Sequence, residues 1–587
     1  MPEYLAPAVF VEETSFRAKS IEGVGTSTAA FVGLTARGPV SQKPSDPTPP
    51  LLTNFNDFER YYGGVDDLTI GGKPTPNFLA MAVQAFFSNG GGRLYVSRIL
   101  GTGASKGAAV VLNNGNPAAN KRVSVFARKE GGAKISGGDA NFRVTLVETL
   151  LETTKKLALK QPAGTMIKIG NEFFVVGISP VLGSGANINN FNNAADSAAV
   201  KIVTIGIEVQ DPTGNVYEAA AMGLHPEHPR YIGVLLGANP PQAIDALTNP
   251  IEMTIGAVAT PFEVRAALMH QSESTDNANV DVRQKDLKGG SDGTGGPAEA
   301  SYKEALQSLL ALEDVSIVAA PGSSSFSGSL PALVNQALIG HAEARRSYRI
   351  AVLDSPPKLE LAGVKAVKSK IDSKYAALYY PWITVGNPMS ATNPLASSLI
   401  DVPPSGAVCG IYARSDIQRG VWKAPANETV TGAVALQRDV RFGEQEVLNP
   451  LGINCVRSLP NRGIRVWGAR TLSSDPEWKY VNIRRYFLYL EASIDRGTQW
   501  AVFEPNGEDL WTNIRTTVSD FLYNEWVSGA LLGASPKEAF FVHCDRTTMT
   551  QNDLDNGRLI CQVGVAALKP AEFVIFRIGQ KTADAAG

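Results

Sequence analysis

From residue 301 onward the chain alternates helical and strand periods at short intervals. That rhythm restricts it to a largely parallel sheet covered by helices. The spacing predicts helices over 301–312, 330–344 and 359–373, and strands over 315–319, 348–353 and 376–385. The same texture runs before residue 101. A buried strand is expected over 29–34, closed by Gly38-Pro39, then a helix over 76–88 opened by Pro76, then a strand over 94–99. Between 101 and 285 the pattern breaks. Short β-branched segments (AAVVLN, RVSVFAR, FRVTLVET, MIKIGNEFFVVGI, AAVKIVTIGIEVQ) are separated by Gly- and Asn-rich turns. Val203, Ile205, Ile207 and Val209 alternate with the period of a half-buried strand. This reads as an all-β insertion, and LKGGSDGTGGP at 287–297 predicts a flexible linker at its exit. Further helices are expected over 482–493 and 510–532, and a last strand over 572–578 before a polar tail expected to lack order. The fold class is therefore α/β (α+β) and multidomain.

Length agrees, because 587 residues exceed what one hydrophobic core organises. All 7 tryptophans lie from Trp382 onward, which marks regions of different character. With 54 basic against 56 acidic residues, no broad positive field exists to hold a phosphate backbone, so nucleic acid is not an expected partner. Near-neutral charge also weakens repulsion between identical copies, which permits dense self-assembly. Cys409, Cys455, Cys544 and Cys561 are far apart in sequence and form no CxxC pair, the pattern of buried thiols made in a reducing compartment. The start, MPEYLAPAVF, has no basic n-region, and the uncharged runs at 315–340 and 375–400 are interrupted by Pro, Gly, Ser or Asn. Neither a secretory signal nor a membrane insertion is expected.

Motifs that carry chemistry are absent or weak. The loop PGSSSFSGS after the 315–319 strand invites a phosphate-cradle reading, but it matches neither GxGxxG nor GxxxxGK[ST]; a turn with a helix cap is the plainer reading. His225 and His228 in HPEHPR are flanked by prolines and lack a third ligand, so a surface turn is expected rather than a metal site. GGSDGTGG lacks the spaced acidic ligands of a calcium loop. No GxSxG elbow places a nucleophile. No catalytic residue, metal or cofactor is therefore assigned. The aromatic residues of 378–526 mix strand and helix periods and read as core or interface. Arg484-Arg485 reads either as a solvated helix face or as a pair for acidic residues of a neighbouring subunit.

The two ends are more informative. AVFVEE at 8–13 and EFVIFRI at 572–578 are strand-like and lie outside the main domains. An extended segment cannot satisfy its own backbone, so it pairs with a sheet edge in its own chain or adds to one in another copy; both remain open.

Several ordered blocks then narrow the reading: GVGTSTAAFVG (23–33), ALYYPWI (377–383), VPPSGAVCGIYARSD (402–416), RGVWKAPAN (419–427), LNPLGIN (448–454), GIRVWGARTL (463–472), YVNIRR (480–485), FEPN (503–506) and KPAEFVIFRI (569–578). Together they resemble contractile tail sheath proteins of myophages, tailocins and related injection systems, over roughly 1–100 and 285–587. The resemblance implies an N-terminal arm (1–22), a sheath core in two parts (23–100 and 301–568), an inserted outer domain (101–285), a Gly-rich linker (286–300) and a C-terminal arm (569–587). It implies stacked hexameric rings around an inner tube, assembled in the bacterial cytoplasm, with baseplate and tail-terminator or cap proteins as further partners. Contraction would need no nucleotide. Val9, Phe10 and Val11, with Phe573, Val574, Ile575 and Phe576, would be the strands exchanged between subunits. A helix carrying Asn513 and Arg515 would face the tube. Two other readings stay open: a non-contractile self-assembling structural protein, and an α/β enzyme with a nucleotide site at 320–328.

Overall fold

The structure, a computed structural model, describes residues 20–578 except 41–47, 71–72, 106–109, 113–120, 129–139, 178–181, 184–187, 213, 258, 270–279, 294 and 392. Val9, Phe10 and Val11 lie outside the described residues. Two compact units divide the chain: 27–414 with 425–479, and 1–26 with 415–424 and 480–587.

The larger unit is organised by a nine-stranded sheet. Its order is Leu51–Leu52, Arg93–Arg98, Thr28–Gly33, Ile317–Ala319, Ile350–Asp354, Ala376–Tyr380, Ile453–Leu459, Gly463–Val466 and Glu428–Thr429. Strands from Arg93–Arg98 through Ile453–Leu459 are parallel, and the outer ones antiparallel. The α/β rhythm predicts this arrangement, since parallel neighbours need a crossover between them. Helices Glu299–Leu309, Leu330–Glu343 and Leu361–Lys368 fill those crossovers. Ala30, Val318, Ala351 and Leu378 are buried in one core cluster with Tyr302 and Leu338 from the helices.

Local differences from the sequence expectations have identifiable causes. The helix predicted to open at Pro76 begins at Phe78, because the Asn77 side chain accepts the Ala80 N–H and caps it. The run 376–385 is two strands in different sheets, Ala376–Tyr380 and Ile383–Gly386, interrupted at Pro381, which has no N–H to give a ladder. Ser405–Arg419 is a long helix that apolar spacing alone does not announce. Asp354, at the end of a parallel strand, accepts from the Ser405 N–H at 2.9 Å and its hydroxyl at 2.5 Å, so the cap comes from far away in sequence.

The insertion forms an antiparallel sheet in the order Leu182–Gly183, Glu172–Val175, Met166–Ile169, Ala199–Asp211, Ala140–Thr154 and Val280–Lys288, with Gly214–Met222 also on Ala199–Asp211. Val203, Ile205, Ile207 and Val209 all face its core. Its last strand ends at Lys288, beyond the expected limit at 285. The glycine-rich run after it is not a free linker. Ser105 and Ser291 exchange backbone hydrogen bonds at 2.8 and 2.9 Å, and the Gly101 N–H donates to Asp292 O at 2.9 Å. The buried Arg98 also pairs with Asp292 at 2.7 Å. Glycines here permit close backbone approach rather than slack: a Cβ on Gly101 would meet Gly295 O at 2.4 Å.

The smaller unit packs helix Val481–Gly497 and helix Glu508–Val527 around Tyr486, Trp511, Val518 and Phe521. It includes a two-stranded antiparallel sheet, Phe540–His543 against Gln562–Val565.

Candidate functional site: chain ends and an open sheet

Residues 21–26 are anchored within the smaller unit. Ile21 joins its core. The Val24 N–H donates to Ser493 Oγ at 3.1 Å. Gly23 sits against Tyr489 so closely that a Cβ would lie 2.2 Å from the tyrosine hydroxyl. Thr26 donates its hydroxyl to Asp416 at 2.7 Å, and Arg485 donates to Thr26 O at 3.0 Å and to Asp416 at 2.5 and 2.8 Å. Asp416 and Arg485 side chains are each 3% exposed. Neither reading of the arginine pair from sequence holds. Arg484 is also buried and reaches both oxygens of Glu491 at 3.0 Å, so the two arginines are internal. The helical period placed them, but partners seven residues along and on another helix are invisible to it.

At the other end, the Asn482 amide donates to Leu568 O at 3.2 Å and the Tyr480 hydroxyl to Glu572 at 3.0 Å. Beyond that point Phe573, Val574, Ile575 and Phe576 are 71%, 69%, 78% and 83% exposed. The strand expected over 572–578 belongs to no sheet among the described residues. A strand exists only with a partner, and none is present among the described residues.

The Phe540–His543 and Gln562–Val565 strands have no third strand among the described residues. Helix Glu508–Val527 packs on the first of them. Phe541 is 50% and Val563 37% exposed, so apolar side chains accompany the sheet edges; just past Val565, Ala567 forms a single bridge with Leu531. Asn513 is exposed on that helix. Arg515 is half-buried, with its charge felt at Cys544 and Asp545 and a 3.4 Å contact to the Thr512 hydroxyl.

The nucleotide reading directs attention to the point where strand order reverses, beside Thr28–Gly33. There Leu34, Phe78, Leu79, Tyr302, Pro321 and Phe326 line a cavity of about 20 Å³. That is room for about one water molecule. The Ser323–Ser325 turn is internally bonded, Ser325 to Gly322 O at 2.7 Å. Among the described residues no three His, Cys, Asp or Glu side chains are grouped to hold a metal, and no helix is long and apolar enough to cross a membrane. Burial lowers the basicity of His225 and His228, which occupy the turn expected of them.

Comparison with known proteins bears on the family. The profile described as phage tail sheath protein central domain matches residues 295–472, and that of the phage tail sheath C-terminal domain matches 473–581. The "Putative prophage major tail sheath protein" of Pseudomonas aeruginosa (strain UCBPP-PA14) is 28% identical over 296 residues, covering 48% of this chain and 71% of that one. A chain from the cryo-EM baseplate of the anti-feeding prophage is 31% identical, covering 49% of this chain and 77% of that one, with a TM-score of 0.42. The helical sheath of the anti-feeding prophage in its contracted state shares the fold, with a TM-score of 0.53 at 19% identity over 98% of this chain and 100% of that one. With both sheath domain profiles matched in tandem and full-length likeness of fold, the chain belongs to the tail sheath protein family.

Proposed function

We propose that this contractile sheath subunit builds stacked hexameric rings around an inner tube by exchanging strands between copies. The observation that carries the reading is the exposed apolar segment at 573–576, in the same chain as a two-stranded sheet with open edges. Each is incomplete alone, and each supplies what the other lacks. Adding Phe573, Val574, Ile575 and Phe576 of one copy to the sheet of another pairs backbone groups and covers alternate apolar side chains. Val9, Phe10 and Val11 would make a second exchanged strand. Their root is fixed, because residues 21–26 are held by Tyr489, Ser493 and the Asp416–Arg485 pair.

Strands exchanged in this way tie subunits together while their folded bodies rotate. The sheath is assembled in the bacterial cytoplasm on a tube and baseplate, closed by a terminator or cap protein, and held in an extended lattice. Release moves it to a shorter, wider lattice that buries more surface, a change between two discrete packings. At roughly 25 cal/mol per Å² of apolar area, modest extra burial per subunit sums to a large driving force along a sheath. The motion drives the tube through a target envelope. The helix bearing Asn513 and Arg515 would seat the tube, Asn513 through its exposed amide. No reaction step or cofactor is involved.

Negative-stain imaging of the overexpressed chain tests this reading. Wide hollow cylinders with cogwheel end views are expected, and removal of residues 1–14 should leave folded monomers that build none. Normal polymers from the truncated chain would remove the exchanged N-terminal strand from the mechanism.

A further inference from the structure

Two of the four cysteines face each other at one end of the two-stranded sheet. Its register pairs Phe540 with Val565 and ends with His543 opposite Gln562, so the next rung sets Cys544 against Cys561. The two thiols are in hydrogen-bond contact. Directly opposed residues of an antiparallel pair have Cα atoms about 4.5–5.5 Å apart, inside the roughly 4.4–6.8 Å that a disulfide spans. Cys544 is buried and Cys561 partly exposed, so a reagent has one sulfur to reach. Cys409 and Cys455 are buried in the other unit.

We propose that Cys544 and Cys561 form a thiol–disulfide site, and that its oxidation by a small-molecule disulfide staples the sheet. The Cys561 thiolate attacks one sulfur of the reagent, breaks its S–S bond and releases one small thiolate. The Cys544 thiolate then attacks Cys561 Sγ in the mixed disulfide and releases the second. The two cysteine protons end on the two released thiols, and the reagent takes up the two electrons. Cys544 faces Arg515 and Asp545, whose charges oppose one another, while burial raises the Cys544 thiol and pushes Cys561 up to about 12. Thiolate is therefore scarce near neutral pH, and the exchange is slow in a reducing compartment and progressive outside one. Its consequence for assembly, a receiver sheet locked around a borrowed strand, rests on the strand exchange proposed above.

The test treats the full-length protein with oxidised glutathione, then counts thiols after denaturation and maps the peptides. Two of the four thiols should disappear into a peptide pair joining Cys544 to Cys561, with a rate rising about tenfold per pH unit below the thiol pKa. Amide exchange in 540–543 and 562–565 should slow, and a reductant should restore it. Cys544→Ser should stop at a glutathione adduct on Cys561, and Cys561→Ser should form neither adduct nor bridge. Four surviving thiols in the folded protein, a bridge to Cys409 or Cys455, or a bridge that leaves sheet exchange unchanged would each overturn the proposal. The same bridge should form in chains lacking residues 569–587. Failure of strand exchange would appear only in the imaging of polymers, so the two readings fail separately.

Discussion

The inserted β-rich region and the C-terminal unit meet the same problem, an exposed sheet edge, in opposite ways. The insertion guards its edges. Of its outer strands, Leu182–Gly183 is very short, Val280–Lys288 carries Arg283, Lys285, Asp286 and Lys288, and Gly214–Met222 carries Glu218. Short and charged edges discourage pairing with another chain. The C-terminal unit leaves its edges open: Phe540–His543 and Gln562–Val565 contain no Asp, Glu, Lys or Arg, and the segment after Glu572 exposes Phe573 and Phe576 almost fully. A soluble monomer gains nothing from exposed apolar strands. The contrast fits the strand exchange proposed for the C-terminal unit.

Removing residues 569–587 gives the largest expected effect. Polymerisation should be lost completely in sedimentation and imaging while the melting temperature of the monomer stays put, because that segment contributes little to the described core. Sheaths of normal length would break the comparison at its root. Next comes Asp416→Ala, which strands the buried Arg485 without its carboxylate and should cost about 3–5 kcal/mol in the smaller unit. Calorimetry should show that unit melting early, and assembly should weaken because the Thr26 anchor goes with it. The matching change in the insertion is Glu148→Ala. Glu148 is 3% exposed and accepts from Arg265 at 2.5 and 2.7 Å, and the guanidinium lies 3.9 Å from the Phe173 ring centroid. Arg265 retains some water contact, so a loss of about 2 kcal/mol is expected, read as faster proteolysis of the insertion. Polymer yield should not move. A fall in yield would show that the insertion takes part in assembly.

A last effect lies outside both regions, depends on pH, and serves as their reference. Burial pushes Asp354 up to about 7, against the two hydrogen bonds from Ser405. A raised carboxyl favours the folded state below its unfolded value near pH 4, and that contribution declines as pH rises to about 7. The slope in this window is at most about 1.4 kcal/mol per pH unit. Asp354→Asn should flatten the pH dependence of the larger unit's melting between those values and leave that of the smaller unit unchanged. An unaltered profile would mean that Asp354 is already satisfied as a carboxylate.

Sequence period was informative wherever a residue's burial follows from its immediate neighbours. The alternation from Val203 to Val209 and the short apolar runs at Ile317–Ala319 and Ile350–Asp354 became buried strands where expected. It was silent where a distant group decides. Helix Ser405–Arg419 lies against helix Phe78–Ser88 so closely that a Cβ on Gly406 would meet Ala82 O at 2.5 Å, and one on Gly410 would meet Phe86 O at 2.4 Å. Those glycines look like helix breakers until the second helix is present. Arg484 and Arg485 likewise read as a solvated face or as partners for a neighbouring subunit until Glu491 and Asp416 were in place.

By itself, the sequence determined the parallel-sheet region and the β-rich insertion, because apolar period and β-branching act over a few residues. Only the tertiary structure decided that the segment 572–578, expected as a strand, joins no sheet among the described residues, that the glycine run at 289–297 is clamped, and that Cys544 meets Cys561. Pairing is a property of two segments at once, and the energy that selects a partner lies in contacts between residues far apart along the chain.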